Sequence, residues 1–161
     1  MRYIDKLKPT KSPGPDKIYA TALKEAKLSI VKPLTLILNE SVSHGEVPID
    51  FKLANVTPIF KKGDKKLPSN YRPISLTSLA GKIQESIIRD HIVSHLNKHN
   101  LIRDTQHGFR NKKSCLTNLL QFFNRVIEDY DEHKAVDIIY LDFKKAFDLV
   151  PHTKLIVKLQ S

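Results

Sequence analysis

Asp142 stands near the end of Val136 to Phe143, VDIIYLDF, a run dominated by β-forming residues. A carboxylate displayed at a strand end can hold a divalent metal ion against phosphate oxygens. An isolated aspartate there more often solvates itself or caps the next turn. Its company favours the chemical reading: DFKKAFDLVPH adds Phe147 and Asp148, and basic segments occur earlier in the chain. His91, His95 and His99 fall at i, i+4 and i+8. Only adjacent members of such a series can share one ion, and no HExxH pattern or cysteine partner accompanies them. They read as a solvated, partly basic helix face. Cys115 is the single cysteine, so no internal disulfide and no cysteine-based zinc site is available. It reads as a small buried residue at a helix start rather than a nucleophile.

The elements that must position these groups follow from pattern. Val136 to Phe143 predicts a strand on which Asp142 shares a face with Ile138 and Tyr140, while Ile139, Leu141 and Phe143 point the other way. Ile83, Ile87, Ile88, Ile92 and Leu96 recur at helical spacing. So do Leu116, Leu119, Leu120, Phe123, Ile127 and Tyr130, with Ser114 as N-cap. Each stripe is wide enough to pack against a sheet or another helix. Leu53 to Phe60 and Asn70 to Thr77 read as a pair of short strands joined by the charged turn Lys61 to Lys66, and Pro58 confines the first to an edge or hairpin arm. KPTKSPGPD, Lys8 to Asp16, is a basic, partly stiff loop. Helix formers dominate from Lys17 to about Lys27, and Pro33 can open a helix running towards His44-Gly45. A further amphipathic stretch begins at Leu155.

The balance of 27 Lys and Arg against 17 Asp and Glu, formally +10 over 161 residues, favours a polyanionic partner such as nucleic acid or an acidic membrane surface. With 40% hydrophobic residues the chain is expected to fold. No apolar run approaches a membrane span and no signal core opens the sequence, so the expected location is intracellular, cytoplasmic or nuclear, with no membrane partner.

Tyr140 to His152, YLDFKKAFDLVPH, closely resembles the first catalytic motif of non-LTR retrotransposon reverse transcriptases. SPGPD (Ser12 to Asp16), TPIFKKGD (Thr57 to Asp64), NYRPISLTS (Asn70 to Ser78) and QHGFR (Gln106 to Arg110) with SCLTNLL (Ser114 to Leu120) also match, in the family's order. Together they span nearly the whole chain. The resemblance implies an α+β fold: mainly helical fingers with a short β-hairpin, plus the first strand of an incomplete antiparallel polymerase palm. It suggests a basic Pro-rich N-terminal loop over 1–16, a fingers-like region over 17–135 and the start of the palm over 136–161.

The implied function is that of a partial RNA-directed DNA polymerase domain; the alternative is a non-catalytic nucleic-acid-binding remnant. By resemblance, Asp142 is the first metal-binding aspartate, with the carbonyl of Phe143 as an added ligand for Mg²⁺. Phe147 matches the bulky gate that crowds a ribose 2′-hydroxyl and so selects deoxynucleotides. Arg72 matches the fingers arginine that grips the incoming dNTP, and Lys61 or Lys62 the neighbouring lysine. Gly108, Phe109, Arg110, Lys112 and Lys113 resemble a stretch lining the path of an RNA template paired to a DNA primer. The family's second aspartate pair, in a YxDD hairpin, has no counterpart, since no Asp-Asp dipeptide occurs. One carboxylate leaves Mg²⁺ under-coordinated, so the chain alone is expected not to polymerise DNA. The strand over 136–143 is expected to lack palm partners, leaving unpaired edges and apolar surface poorly supported.

Overall fold

Helices make up most of the N-terminal part of the chain, and one of them runs through a proline. The computed structural model describes residues 1–143 and 149–160, which divide into two units, Met1–Ile102 and Arg103–Ser161.

The first unit contains α1 (Arg2–Asp5), α2 (Ala20–Glu25), α3 (Lys27–His44), α4 (Ile49–Lys52), β1 (Ala54–Phe60), β2 (Tyr71–Thr77) and α5 (Leu79–Lys98). Pro33 lies inside α3 instead of opening it. An interior proline removes its own N–H from the ladder and crowds the carbonyl four residues back, yet α3 continues through Pro33 to His44. Gly45 ends α3 with φ 68°, a left-handed cap that side-chain-bearing residues rarely adopt.

The core is small: Ile4, Ala20, Leu23, Leu38, Leu79 and Ile83, with Tyr3, Leu34, Phe51 and Ile87 packed against it. Buried Gln84 donates to Ser41 Oγ at 2.7 Å, and Ser41 donates to the Glu46 carbonyl at 2.6 Å, so α3 and α5 are tied without leaving a polar atom unpaired. Ser78, itself buried, ends the ribbon and caps α5 by accepting from the Gly81 amide. The SPGPD loop reaches this junction. A Cβ on Gly14 would lie 2.6 Å from both Ser78 N and Thr77 C, so only glycine lets the two backbones meet.

β1 and β2 form an antiparallel ribbon with Ala54 opposite Thr77 and Phe60 opposite Tyr71. The ladder runs one residue further, because the Lys61 amide donates to the Asn70 carbonyl at 2.8 Å. Hydrogen-bonded and non-bonded pairs alternate along such a ladder. Pro58 and Pro73 oppose one another at a non-bonded pair, where both ring nitrogens face outward and no rung is missing. The turn is built by its own residues: Gly63 has φ 88°, and Asp64 O accepts from Asn70 Nδ2 at 2.8 Å. Helices with one antiparallel strand pair make this an α+β fold, as expected from sequence.

The second unit contains α6 (Cys115–Asp131) and α7 (His152–Gln160). Ser114 caps α6 reciprocally: its Oγ accepts from the Thr117 amide at 3.2 Å, and Thr117 Oγ1 accepts from the Ser114 amide at 2.8 Å. The apolar stripe of α6 is formed but exposed, with Phe123 at 53%. Two expectations are corrected here. Val136 to Phe143 has no strand pairing among the described residues and is largely exposed; β propensity records fit to a pleated neighbour, and none is present among the described residues. Cys115 is exposed rather than buried, because it begins α6 on a side that nothing among the described residues covers.

Candidate nucleic-acid interface

The ribbon sorts its residues by parity. Directly opposed residues share a face, so Ile59 and Arg72 lie together on one side, and Phe60 and Tyr71 on the other. The extra rung at Lys61 and Asn70 returns to the Arg72 face. Lys61 is therefore the diagonal neighbour of Arg72, and both are exposed. Lys62 leaves the ladder for the turn. On the opposite face the Tyr71 ring meets Phe60 edge-on at 5.5 Å, and Tyr71 donates to the Lys65 carbonyl at 2.9 Å. Lys65 Nζ sits 5.7 Å from the Phe60 ring centre. Pro58, Pro73 and Tyr71 line a cavity of about 580 Å³ there, with Lys65 and Lys66 at its rim.

QHGFR is anchored to α6 through a residue that sequence reasoning passed over. His107 is buried at 7% exposure, the one buried residue of the second unit among the described residues. Its Nε2 lies 2.5 Å from Gln121 Oε1 and its Nδ1 2.9 Å from Thr117 Oγ1, both within hydrogen-bond distance, while the Thr117 hydroxyl donates to the Ser114 carbonyl at 2.9 Å. Thr117 thus serves the cap of α6 and the loop at once. Arg110 donates to the Arg103 carbonyl at 3.0 Å, and Lys113 to the Asp104 carbonyl at 3.2 Å. Those two cations close the loop that carries them. Phe109 is 99% exposed with φ 59°, and Lys112 has φ 61°. Two non-glycine residues in the left-handed region within one turn mark a loop held in a costly shape. Gly108 has no positive φ and meets only Gln106 within contact range. A groove of about 760 Å³ runs from Lys112 and Lys113 past Gln121 and Arg125 to Glu128.

The His107 clamp sets a measurable expectation. His107→Ala removes two hydrogen bonds and empties the one buried site, costing the loop's attachment about 2 kcal/mol. Hydrogen exchange at Gln106 to Asn111 is expected to accelerate while the Ser114-capped start of α6 keeps its protection. Unchanged loop protection would show that His107 does not hold it.

Asp142 and Phe143 lie in the 136–143 segment, both exposed. That segment touches α6 where the Tyr140 ring lies 6.2 Å from Phe122. Phe147 and Asp148 lie outside the described residues. Thus Arg72, Lys61 and Lys62 belong to the first unit, whereas Asp142, Phe143 and the 108–113 loop belong to the second. His91, His95 and His99 are exposed on α5 and its cap, with the last two rings 4.5 Å apart.

Residues 59–161 match the family described as reverse transcriptase (RNA-dependent DNA polymerase), and the chain belongs to that family. It is 30% identical over 159 residues to the RNA-directed DNA polymerase from mobile element jockey of Drosophila funebris, covering 98% of this chain and 17% of that protein. It is 29% identical over 151 residues to the "Probable RNA-directed DNA polymerase from transposon BS" of Drosophila melanogaster, covering 93% of this chain and 17% of the relative. A retrovirus-related Pol polyprotein from a type-1 R2 retrotransposable element of Popillia japonica is 27% identical over 149 residues, 92% of this chain and 20% of the relative. The chain is a partial reverse transcriptase domain of the non-LTR retrotransposon kind, spanning about a fifth or less of the length of these curated relatives.

Membership implies divalent-metal chemistry in general. Among the described residues no three His, Cys, Asp or Glu side chains converge as ligands. Mg²⁺ takes near-octahedral oxygen coordination, and the described residues alone do not make up such a site. No described helix is long and apolar enough to cross a membrane.

Proposed function

We propose that this chain is the fingers and first palm segment of an RNA-directed DNA polymerase, competent to hold nucleotide and template but not to polymerise by itself. The observation that carries the nucleotide reading is the shared face of Lys61 and Arg72. A planar guanidinium and an ammonium on adjacent positions suit the oxygens of a triphosphate, and parity selects Lys61 over Lys62. The loop 106–113, shaped by His107, presents Phe109 for base stacking and Lys112 for a backbone phosphate of the template. Arg110 and Lys113 act mainly by closing that loop. Asp142, with the Phe143 carbonyl, contributes the first ligands for Mg²⁺, which needs further carboxylates to bind. Phe147 selects against a ribose 2′-hydroxyl in the assembled enzyme.

The test is equilibrium binding of a deoxynucleoside triphosphate to single alanine variants. Removing one charged hydrogen bond corresponds to about tenfold in affinity. Arg72→Ala and Lys61→Ala are expected to show that weakening, and Lys62→Ala less than about twofold on the same scale. Weakening by Lys62→Ala with Lys61→Ala silent would overturn the assignment.

A further inference from the structure

A second cation cluster lies away from the hairpin, within the first unit. A pocket of about 210 Å³ opens between α1, the turn that follows it and the start of α5, lined by Tyr3, Lys6, Lys8, Lys11, Lys82 and Arg89. Leu7 and Ile83 form its apolar side, and Ile83 is 4% exposed. No carboxylate lines it. Of the acids nearby, Glu85 and Asp16 act on Lys82 from outside the pocket lining, while Asp90 accepts from Arg89 at 2.7 Å and from the Tyr3 hydroxyl at 3.1 Å, and Asp5 accepts from Lys27 at 2.7 Å. Arg89 is thereby neutralised, while none of Lys8, Lys11 and Lys82 has an ion pair with a described carboxylate.

This arrangement is costly as it stands. Lys82 is only half-exposed and sits near the first turn of α5, where the helix dipole disfavours a cation. Burial pushes its amine below the ordinary lysine value, and the charge of Lys11 pushes it further, against partial relief from Glu85 and Asp16. An anion seated among these lysines would pair the half-buried charge, offset the repulsion from Lys11 and gain from the same dipole.

We propose that this pocket is a binding site for a phosphate group. The cluster's charge calls for an anion of high charge density, and its volume is too small for a nucleoside. The ligand is a phosphodiester of a nucleic-acid strand, a source that rests on the function proposed above. Free phosphate is the other source of the same chemistry. The site lies on α1, α5 and the loop before SPGPD, none of which carries a residue assigned above to nucleotide or template.

Two measurements on the 161-residue chain test this. The first is binding of a fluorescein-labelled single-stranded RNA across a series of NaCl concentrations. Removing one phosphate interaction lowers the slope of log K against log salt by about 0.7 for a single strand. The Lys11→Gln/Lys82→Gln variant is expected to show that drop. Lys32→Gln/Lys98→Gln, which removes equal charge from exposed positions outside the pocket, keeps the native slope, as does Lys11→Arg/Lys82→Arg. The second is titration with inorganic phosphate followed by amide shifts of Lys11, Lys82 and Ser86. A slope drop, with or without those shifts, assigns the pocket to a strand's phosphodiester. If the native chain binds no RNA yet phosphate shifts these amides, the nucleic-acid reading fails and the pocket stands with free phosphate as its ligand. Equal slopes for the pocket and control variants together with silent amides would overturn the site, as would an Arg variant that behaves like the Gln one.

Discussion

Replacing Gly14 by alanine is expected to destabilise the first unit by about 3 kcal/mol, the upper end of the usual cost of overpacking. The added Cβ meets backbone, at 2.6 Å from Ser78 N and Thr77 C and 2.8 Å from Thr77 O, where no flexible side-chain tip can give way. Nor can that backbone retreat cheaply. Thr77 is the last rung of the ribbon opposite Ala54, and Ser78 is the cap of α5. Since a small unit is only marginally stable, such a change is a large fraction of what it has. Urea denaturation followed by circular dichroism measures it directly. A shift below about 1 kcal/mol would mean that the SPGPD loop swings away and its meeting with the junction is incidental.

The second large effect concerns Asp142. In a polypeptide that joins this chain to sheet partners for residues 136–143 and to further carboxylates, Asp142→Ala is expected to lower primer extension on RNA by on the order of 10³-fold, comparable to removing one group that stabilises transition-state charge. The 161-residue chain assayed alone is expected to extend no primer, with or without the substitution. Extension by the purified chain, free of contaminating polymerase and abolished by Asp142→Ala, would contradict the need for carboxylates beyond those described.

Much of the fold was readable because its signals are local. The ribbon follows from β-formers flanking a charged turn, and α6 from an apolar period preceded by Ser114. Pro33 misled because a proline's preference for the first turn is a tendency, and here α3 begins six residues earlier, at Lys27. Val136 to Phe143 misled for a different reason: a strand is a property of two segments, and only one is described. Site residues were less legible. Lys61 and Lys62 are equivalent as letters and separate only when the register sets their parity. His107 became visible through Thr117 and Gln121, polar residues four apart on one face of α6. That spacing was present in the sequence, but nothing in it said which loop residue they receive. The lysine pocket combines Lys8 and Lys11 with Lys82, and only folding brings those segments together.

The facing prolines of the ribbon bear on what else the hairpin can join. Two strands alone leave two open margins, each a template onto which another chain could add by backbone pairing. Pro58 and Pro73 each place a ring where the outward N–H of that margin would stand. A visiting strand would lose a donor and meet a bulky ring at the same rung on either side. The hairpin is thereby kept a slender two-stranded arm, with a proline disfavouring strand addition at each margin.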